Sequence, residues 1–264
     1  MRLIWLIALP LSAYRSPLAA LQIQDNSFLL EEAYNQEAGV VQHISTFARS
    51  EGGDWEYTFT QEWPLGGIRH QLSYTLPFHH ADGDGTGLGD VALKYRYQLA
   101  GDPRARVVVA PRLSLLLPTG DEARGRGAGS AGIQLNLPLT RVLSPSWVTH
   151  WNAGLTGIPS ARNALGQKAT TSDFNLGASV IWLSRSWLNL LLEAVWATES
   201  AVGGAGQARR EGSVWLSPGF RVALDLPGNL QVVPGAAYSV ELTSDAAPDA
   251  LFLYLSFEHP FKHE

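Results

Sequence analysis

From Asp54 to Phe261 the chain alternates apolar and polar residues in short runs, most clearly in Trp55-Glu56-Tyr57-Thr58-Phe59-Thr60-Gln61-Glu62-Trp63. Side chains two residues apart share one face of a strand, so this period predicts strands with one apolar and one polar face. In Arg69–Phe78 the residues His70, Leu72, Tyr74, Leu76 and Phe78 oppose Arg69, Gln71, Ser73 and Thr75. In Gly89–Leu99, Val91, Leu93, Tyr95, Tyr97 and Leu99 oppose Asp90, Lys94, Arg96 and Gln98. The same pattern predicts strands over Ala105–Leu117, Gly132–Thr140, Trp147–Gly157, Ser172–Trp182, Leu188–Ala197, Ser213–Leu224, Leu230–Glu241 and Leu251–Phe261. Gly39–Phe47 has no clean apolar row and is the weakest of the set, which then numbers about twelve.

The connections alternate in length. Pro64–Ile68, Ala100–Arg104, Leu143–Ser146, Leu183–Ser186 and Asp225–Asn229 are short, whereas His79–Leu88, Pro118–Ala131, Ile158–Thr171, Thr198–Gly212 and Leu242–Ala250 are long. Short turns at one end and long loops at the other are the arrangement of an outer-membrane barrel, with both termini on the short-turn, periplasmic side. A soluble barrel or sandwich has the same periodicity with the polar face outward. Aromatic placement favours the membrane: Trp63, Trp147, Trp182 and Trp187 stand at short-turn strand ends, as in an interfacial girdle, and Phe257 and Phe261 close the last strand. The fold expected is therefore an all-β, transmembrane, antiparallel up-and-down barrel. Pro111, Pro218 and Pro234 fall inside predicted strands, where each removes a ladder donor, so bulges or kinks are expected there.

Composition supports that reading. Of 264 residues 45% are hydrophobic and only 16% charged, yet no run approaches the length of a spanning helix. Met1-Arg2, an apolar stretch Leu3–Ala13 and the small residues before Gln22 form the pattern of a secretory signal, taken as residues 1–20 with cleavage after Ala20. Residues 21–38 are then a periplasmic N-terminal segment and 39–264 the barrel. Loss of Arg2 and Arg15 leaves 24 acidic against 17 basic residues, which argues against nucleic acid as a partner. There is no cysteine, so thiol chemistry and disulfides are excluded.

The polar faces supply the candidate chemistry. In a membrane barrel they line the lumen, which makes Glu56, Arg69, Asp90, Lys94, Arg96, Arg112, Asp173, Glu193, Arg221, Glu241 and Glu258 the expected pore-lining residues. Ser27–Glu37 is predicted as a short amphipathic helix with Asp25, Asn26 or Ser27 as its cap. It is either a periplasmic extension or a plug that enters the lumen and pairs Glu31 or Glu32 with inward arginines. In the loop His79–Asp90 the spacing of Asp82, Asp84, Thr86 and Gly87 matches the start of a calcium loop, but Leu93 stands where the bidentate acid belongs, so it is read as a Gly-rich surface loop. Gly125–Gly132 joins two strands and lacks the helix N-terminus of a phosphate cradle; it is read as a flexible outer loop. No histidine lies in a Ser-centred motif, and neither catalytic residues, metal ligands nor cofactors are expected.

The segments Gln24–Glu37, Gly87-Leu88-Gly89-Asp90-Val91 and Pro111–Asp121 resemble a family of bacterial outer-membrane proteins associated with the MetA pathway of phenol degradation, whose members are often called transporters. The resemblance runs over most of the mature chain and implies an outer-membrane barrel; it carries over no catalytic residue. The function expected is a narrow channel or transporter for small, aromatic or hydrophobic solutes, with outer-membrane lipids and the assembly machinery as partners. The alternatives are a lipid-modifying enzyme and a non-conducting structural barrel.

Overall fold

The computed structural model describes residues 27–102, 104–228, 230–243 and 249–260. The expected signal and its cleavage site lie outside the described residues. Twelve wall strands follow one another: β1 (Val40–Ser50), β2 (Trp55–Pro64), β3 (His70–Ala81), β4 in two pieces (Gly85–Leu88 and Val91–Tyr97) and β5 in two pieces (Val107–Val109 and Arg112–Leu117). Then come β6 (Gly132–Ser144), β7 (Trp147–Arg162), β8 (Lys168–Arg185), β9 (Leu188–Val202), β10 in two pieces (Ala208–Val222 and Leu224–Leu226), β11 (Leu230–Glu241) and β12 (Ala250–Pro260). Each pairs antiparallel with its neighbour in sequence, and β1 pairs with β12 from Val40↔Pro260 to Ser50↔Ala250, so the sheet closes on itself. Closure leaves no open edge.

Polarity separates this barrel from a soluble one. Leu93 is 47% exposed on the outer face of β4 while Arg96 is only 3% exposed within. Leu113, Leu115, Ile133, Leu135, Trp151, Leu155, Leu176, Leu192, Leu251, Leu253 and Leu255 are exposed in the same way. Gln71, Arg112, Asn136, Asn152, Ser179, Glu193, Ser217 and Ser256 are buried on the other face. An apolar exterior around a polar interior is stable only against hydrocarbon, which makes this a transmembrane barrel. Trp147 and Trp182 stack at 6.0 Å between centroids at the short-turn end, with Trp187 exposed in the adjoining turn.

The strands run further toward the long-loop end than alternation predicts. The expected loop His79–Leu88 is a hairpin of β3 with the first piece of β4, β7 and β8 extend to Arg162 and Lys168, and β9 and β10 extend to Val202 and Ala208. The physical reason is that above the lipid band both faces meet water, so the ladder continues while the apolar period disappears. Arg210 illustrates this: it points outward from β10 and its guanidinium lies 5.0 Å over the Phe174 ring.

Pro111, Pro218 and Pro234 are accommodated by gaps in the ladder and not by bulges. Pro111 separates the two pieces of β5. Pro218 is paired with Leu192 of β9, but pairing toward β11 skips from Leu216↔Val240 to Gly219↔Ala237 with no change of register. Pro234 pairs with Leu255 of β12 and faces the interruption between Arg221↔Gly235 and Leu224↔Val232. A missing donor thus opens a gap of two pair positions on one side. The register shifts fall at Val142/Ser144, at Leu183/Arg185 and at Ala169/Thr171, the last opposite Pro159 and Ser160 of β7.

Two outcomes follow from this arrangement. A closed, internally bonded wall resists detergent, so unboiled and boiled protein will migrate differently on a gel. Leu93→Arg or Leu135→Arg, facing lipid, will each cost about 2–4 kcal/mol near the bilayer midplane, measured by equilibrium unfolding from lipid vesicles, whereas Thr58→Arg on the inner face will cost much less.

Candidate functional site

Residues Ser27–Gln36 lie inside the barrel as an irregular, extended strap that precedes β1. The predicted helix does not form, and the reason is visible in where the backbone amides go. A helix would give each amide a carbonyl four residues back; here the wall supplies acceptors instead. Glu193 of β9 takes three consecutive donors: its carboxylate accepts from Phe28 N (3.1 Å), Leu29 N (3.1 Å) and Leu30 N (3.2 Å). Asn152 Oδ1 of β7 accepts from Glu31 N at 3.0 Å, Thr140 Oγ1 of β6 from Ala33 N at 2.9 Å, Gln98 Oε1 from Asn35 N at 3.2 Å and Gln71 Oε1 of β3 from Gln36 N at 2.8 Å. Carbonyls are met as well, Glu31 O by Asn152 Nδ2 (2.7 Å) and Tyr34 O by Arg96 of β4 (2.7 Å). The strap therefore touches wall strands on several sides of the lumen.

Apolar packing fixes its far end. Phe28 is buried against Phe252 and Tyr254 of β12, with centroids at 5.4 and 5.6 Å. The wall is bare at that point: a Cβ on Gly219 or Gly235 would fall 2.5 or 2.8 Å from the Phe28 ring, and one on Gly177 would fall 2.6 Å from Leu30. Ser27 Oγ donates to Ser179 Oγ of β8 at 3.2 Å.

Charge concentrates at the middle of the strap. Glu31 meets Arg112 of β5 in a forked pair, Nε to Oε2 at 2.9 Å and NH2 to Oε1 at 2.6 Å. Arg96 lies 4.0 Å from Glu31 and 3.5 Å from Glu62 of β2, whose other contact is Gln71 Nε2 at 2.7 Å. Arg112, Lys94 and Arg96 together surround the Glu31 carboxylate with positive charge. Glu32 is buried in the same segment, and its backbone oxygen accepts from Arg96 at 3.2 Å.

The other expected pore-lining residues divide by height. Lys94 acts electrostatically on Glu31, Glu258 approaches Gln36 Nε2 at 3.5 Å, and Arg221 is fully buried on β10. Glu56 sits near the long-loop end, 3.1 Å from His79, and Asp173 and Glu241 are half-buried at that same end. Arg69 is exposed in the turn before β3. Asp90 has a different task from lining: its carboxylate accepts from Gly120 N at 2.9 Å and Ala128 N at 2.7 Å, tying the 118–131 loop to the barrel mouth. Thr119 Oγ1 donates to Gly89 O at 2.8 Å and accepts from Val91 N at 2.9 Å, so the Gly87–Val91 and Pro118–Asp121 motifs are one clasp. The Gly125–Gly132 stretch is consequently held in place, where a flexible loop was expected.

Sequence reasoning missed Gln71, Gln98, Thr140 and Asn152, uncharged residues whose only signal is an inward position. The glycines in mid-strand were the better clue, since a bare wall position marks close approach by another chain segment.

The fold is that of an outer-membrane barrel. It is similar to the COG4313 outer membrane channel from Pseudomonas putida F1, with a TM-score of 0.67, 12% identity, and coverage of 87% of this chain and 98% of that one. It is also similar to the NanC porin, with a TM-score of 0.55 and 7% identity over 82% of this chain and 98% of that one. No curated protein matches the chain. Across residues 22–257 the sequence matches the family described as "Putative MetA-pathway of phenol degradation", and the chain belongs to that family.

Proposed function

We propose that the protein is an outer-membrane channel for small solutes whose conduction is limited by the strap Ser27–Gln36. The observation that carries this reading is the triple acceptance by Glu193 of the Phe28, Leu29 and Leu30 amides, which holds the strap within the lumen. A barrel of about this strand number lies between those filled by side chains and those with wide aqueous bores. An inserted segment then decides which behaviour prevails. The COG4313 relative is called a channel and NanC a porin, which supports conduction as the common role. Lipid contact follows from the exposed apolar belt, and insertion through the outer-membrane assembly machinery from the closed barrel. An aromatic or otherwise apolar solute is the class that the family's description in terms of phenol degradation suggests.

Single-channel recording in planar bilayers tests the reading. Intact protein will show a small conductance, and deletion of residues 22–37 will raise it several-fold. A large conductance in the intact chain that the deletion leaves unchanged would refute the role of the strap; no conductance in either would refute the channel. A point change gives the same direction without deletion. Glu193→Gln replaces a charged acceptor of three amides by a neutral one, weakening hydrogen bonds that contribute about 1.5–3 kcal/mol each, so it will increase the frequency of brief high-conductance openings.

A further inference from the structure

Arg112 is oriented by the wall whether or not Glu31 is present. Its NH2 donates to Gln134 Oε1 at 2.9 Å, and its NH1 donates to Ser114 Oγ. Arg96 is held by the strap backbone and by Asn35, whose Oδ1 accepts from Nε at 2.9 Å, independently of the Glu31 side chain. The two guanidinium side chains are 4% and 8% exposed, while Glu31 is 27% exposed. Water therefore reaches this cluster through the carboxylate. Lys94 lies one inward position nearer the long-loop end than Arg96, and no hydrogen bond or ion pair joins it to another described residue. With Glu31 turned away, three cations would remain together, with Glu62 3.5 Å from Arg96.

We propose that Arg112, Arg96 and Lys94 form a binding site for a small solute bearing a carboxylate, and that Glu31 is its intramolecular occupant. The proposal rests on the channel reading for its purpose, but not for its chemistry. A planar carboxylate accepts two parallel bonds from a guanidinium fork, as Glu31 does from Arg112. A spherical anion or a neutral amide cannot reproduce that geometry and charge together. Exchange needs only a rotation of the Glu31 side chain toward the water it already meets. The strap stays anchored by Glu193, Asn152 and Thr140. A tethered occupant competes at an effective concentration in the millimolar range or above, so it screens out weak binders and sets a threshold for solute.

Titration calorimetry on the intact, detergent-purified protein tests the site, with benzoate as the probe and benzamide as its neutral counterpart at constant chloride. Glu31→Gln, which removes the competing charge, is expected to tighten benzoate binding by at least about tenfold and to leave benzamide without measurable binding. Adding Lys94→Gln or Arg112→Met to that variant is expected to weaken benzoate again. The heat-dependent gel shift shows that each variant has folded, and Lys94→Gln serves if Arg112→Met has not. Benzoate affinity unchanged by Glu31→Gln, or equal binding of benzamide, would overturn the proposal. If benzoate binds as expected while no variant conducts, the site stands and the channel reading falls; if the protein conducts but benzoate does not respond to Glu31→Gln, the reverse holds.

Discussion

Every peptide group at membrane depth must find its hydrogen-bond partner within the protein, because hydrocarbon offers none. That constraint explains the closure of β1 onto β12 and why Pro218 and Pro234 leave only short gaps in the wall ladder. It also governs the strap. A chain segment entering the lumen brings amides and carbonyls that need partners, and this wall provides them from side chains: a carboxylate for three amides, and amide or hydroxyl oxygens for four more.

The strap and the wall are accordingly matched in two kinds of interaction. Polar side chains on β3, β4, β6, β7 and β9 fix the strap backbone, while Gly177, Gly219 and Gly235 leave space for its apolar side chains. Each would carry a local cost without the other. An unmatched Glu193 would be a buried charge, and an unfilled shelf beside Phe252 and Tyr254 would be an apolar surface inside a wet lumen. Under the proposed function the matched arrangement is a constriction held by polar contacts, which suits a channel better than a filled structural barrel.

Much of the wall was legible in the sequence, because a sheet that faces lipid on one side and a polar lumen on the other writes its register as a period of two. The Leu230–Glu241 strand was read correctly at both ends, and Gly39–Phe47, the least regular run, is a strand that begins one residue later and ends at Ser50. The long-loop ends were not legible, since lipid no longer enforces the alternation above the belt. The strap was misread as a helix because its spacing of apolar residues and its capping residues are local signals. The acceptors that outcompete the helix lie on β6, β7 and β9, more than a hundred residues away in sequence.

The central claim is that Ser27–Gln36 occupies the lumen in the membrane, and the absence of cysteine from the chain permits a clean test. Ser27→Cys and Ser179→Cys introduced together replace two hydroxyls 3.2 Å apart, so that a disulfide bond between them would record the strap's contact with the wall. Mild oxidation of outer-membrane vesicles, followed by mass analysis of the peptides containing residues 27 and 179, should recover them joined. Recovery of both thiols unlinked, with the residue 27 thiol freely labelled by a polar maleimide from the periplasmic side, would contradict the account.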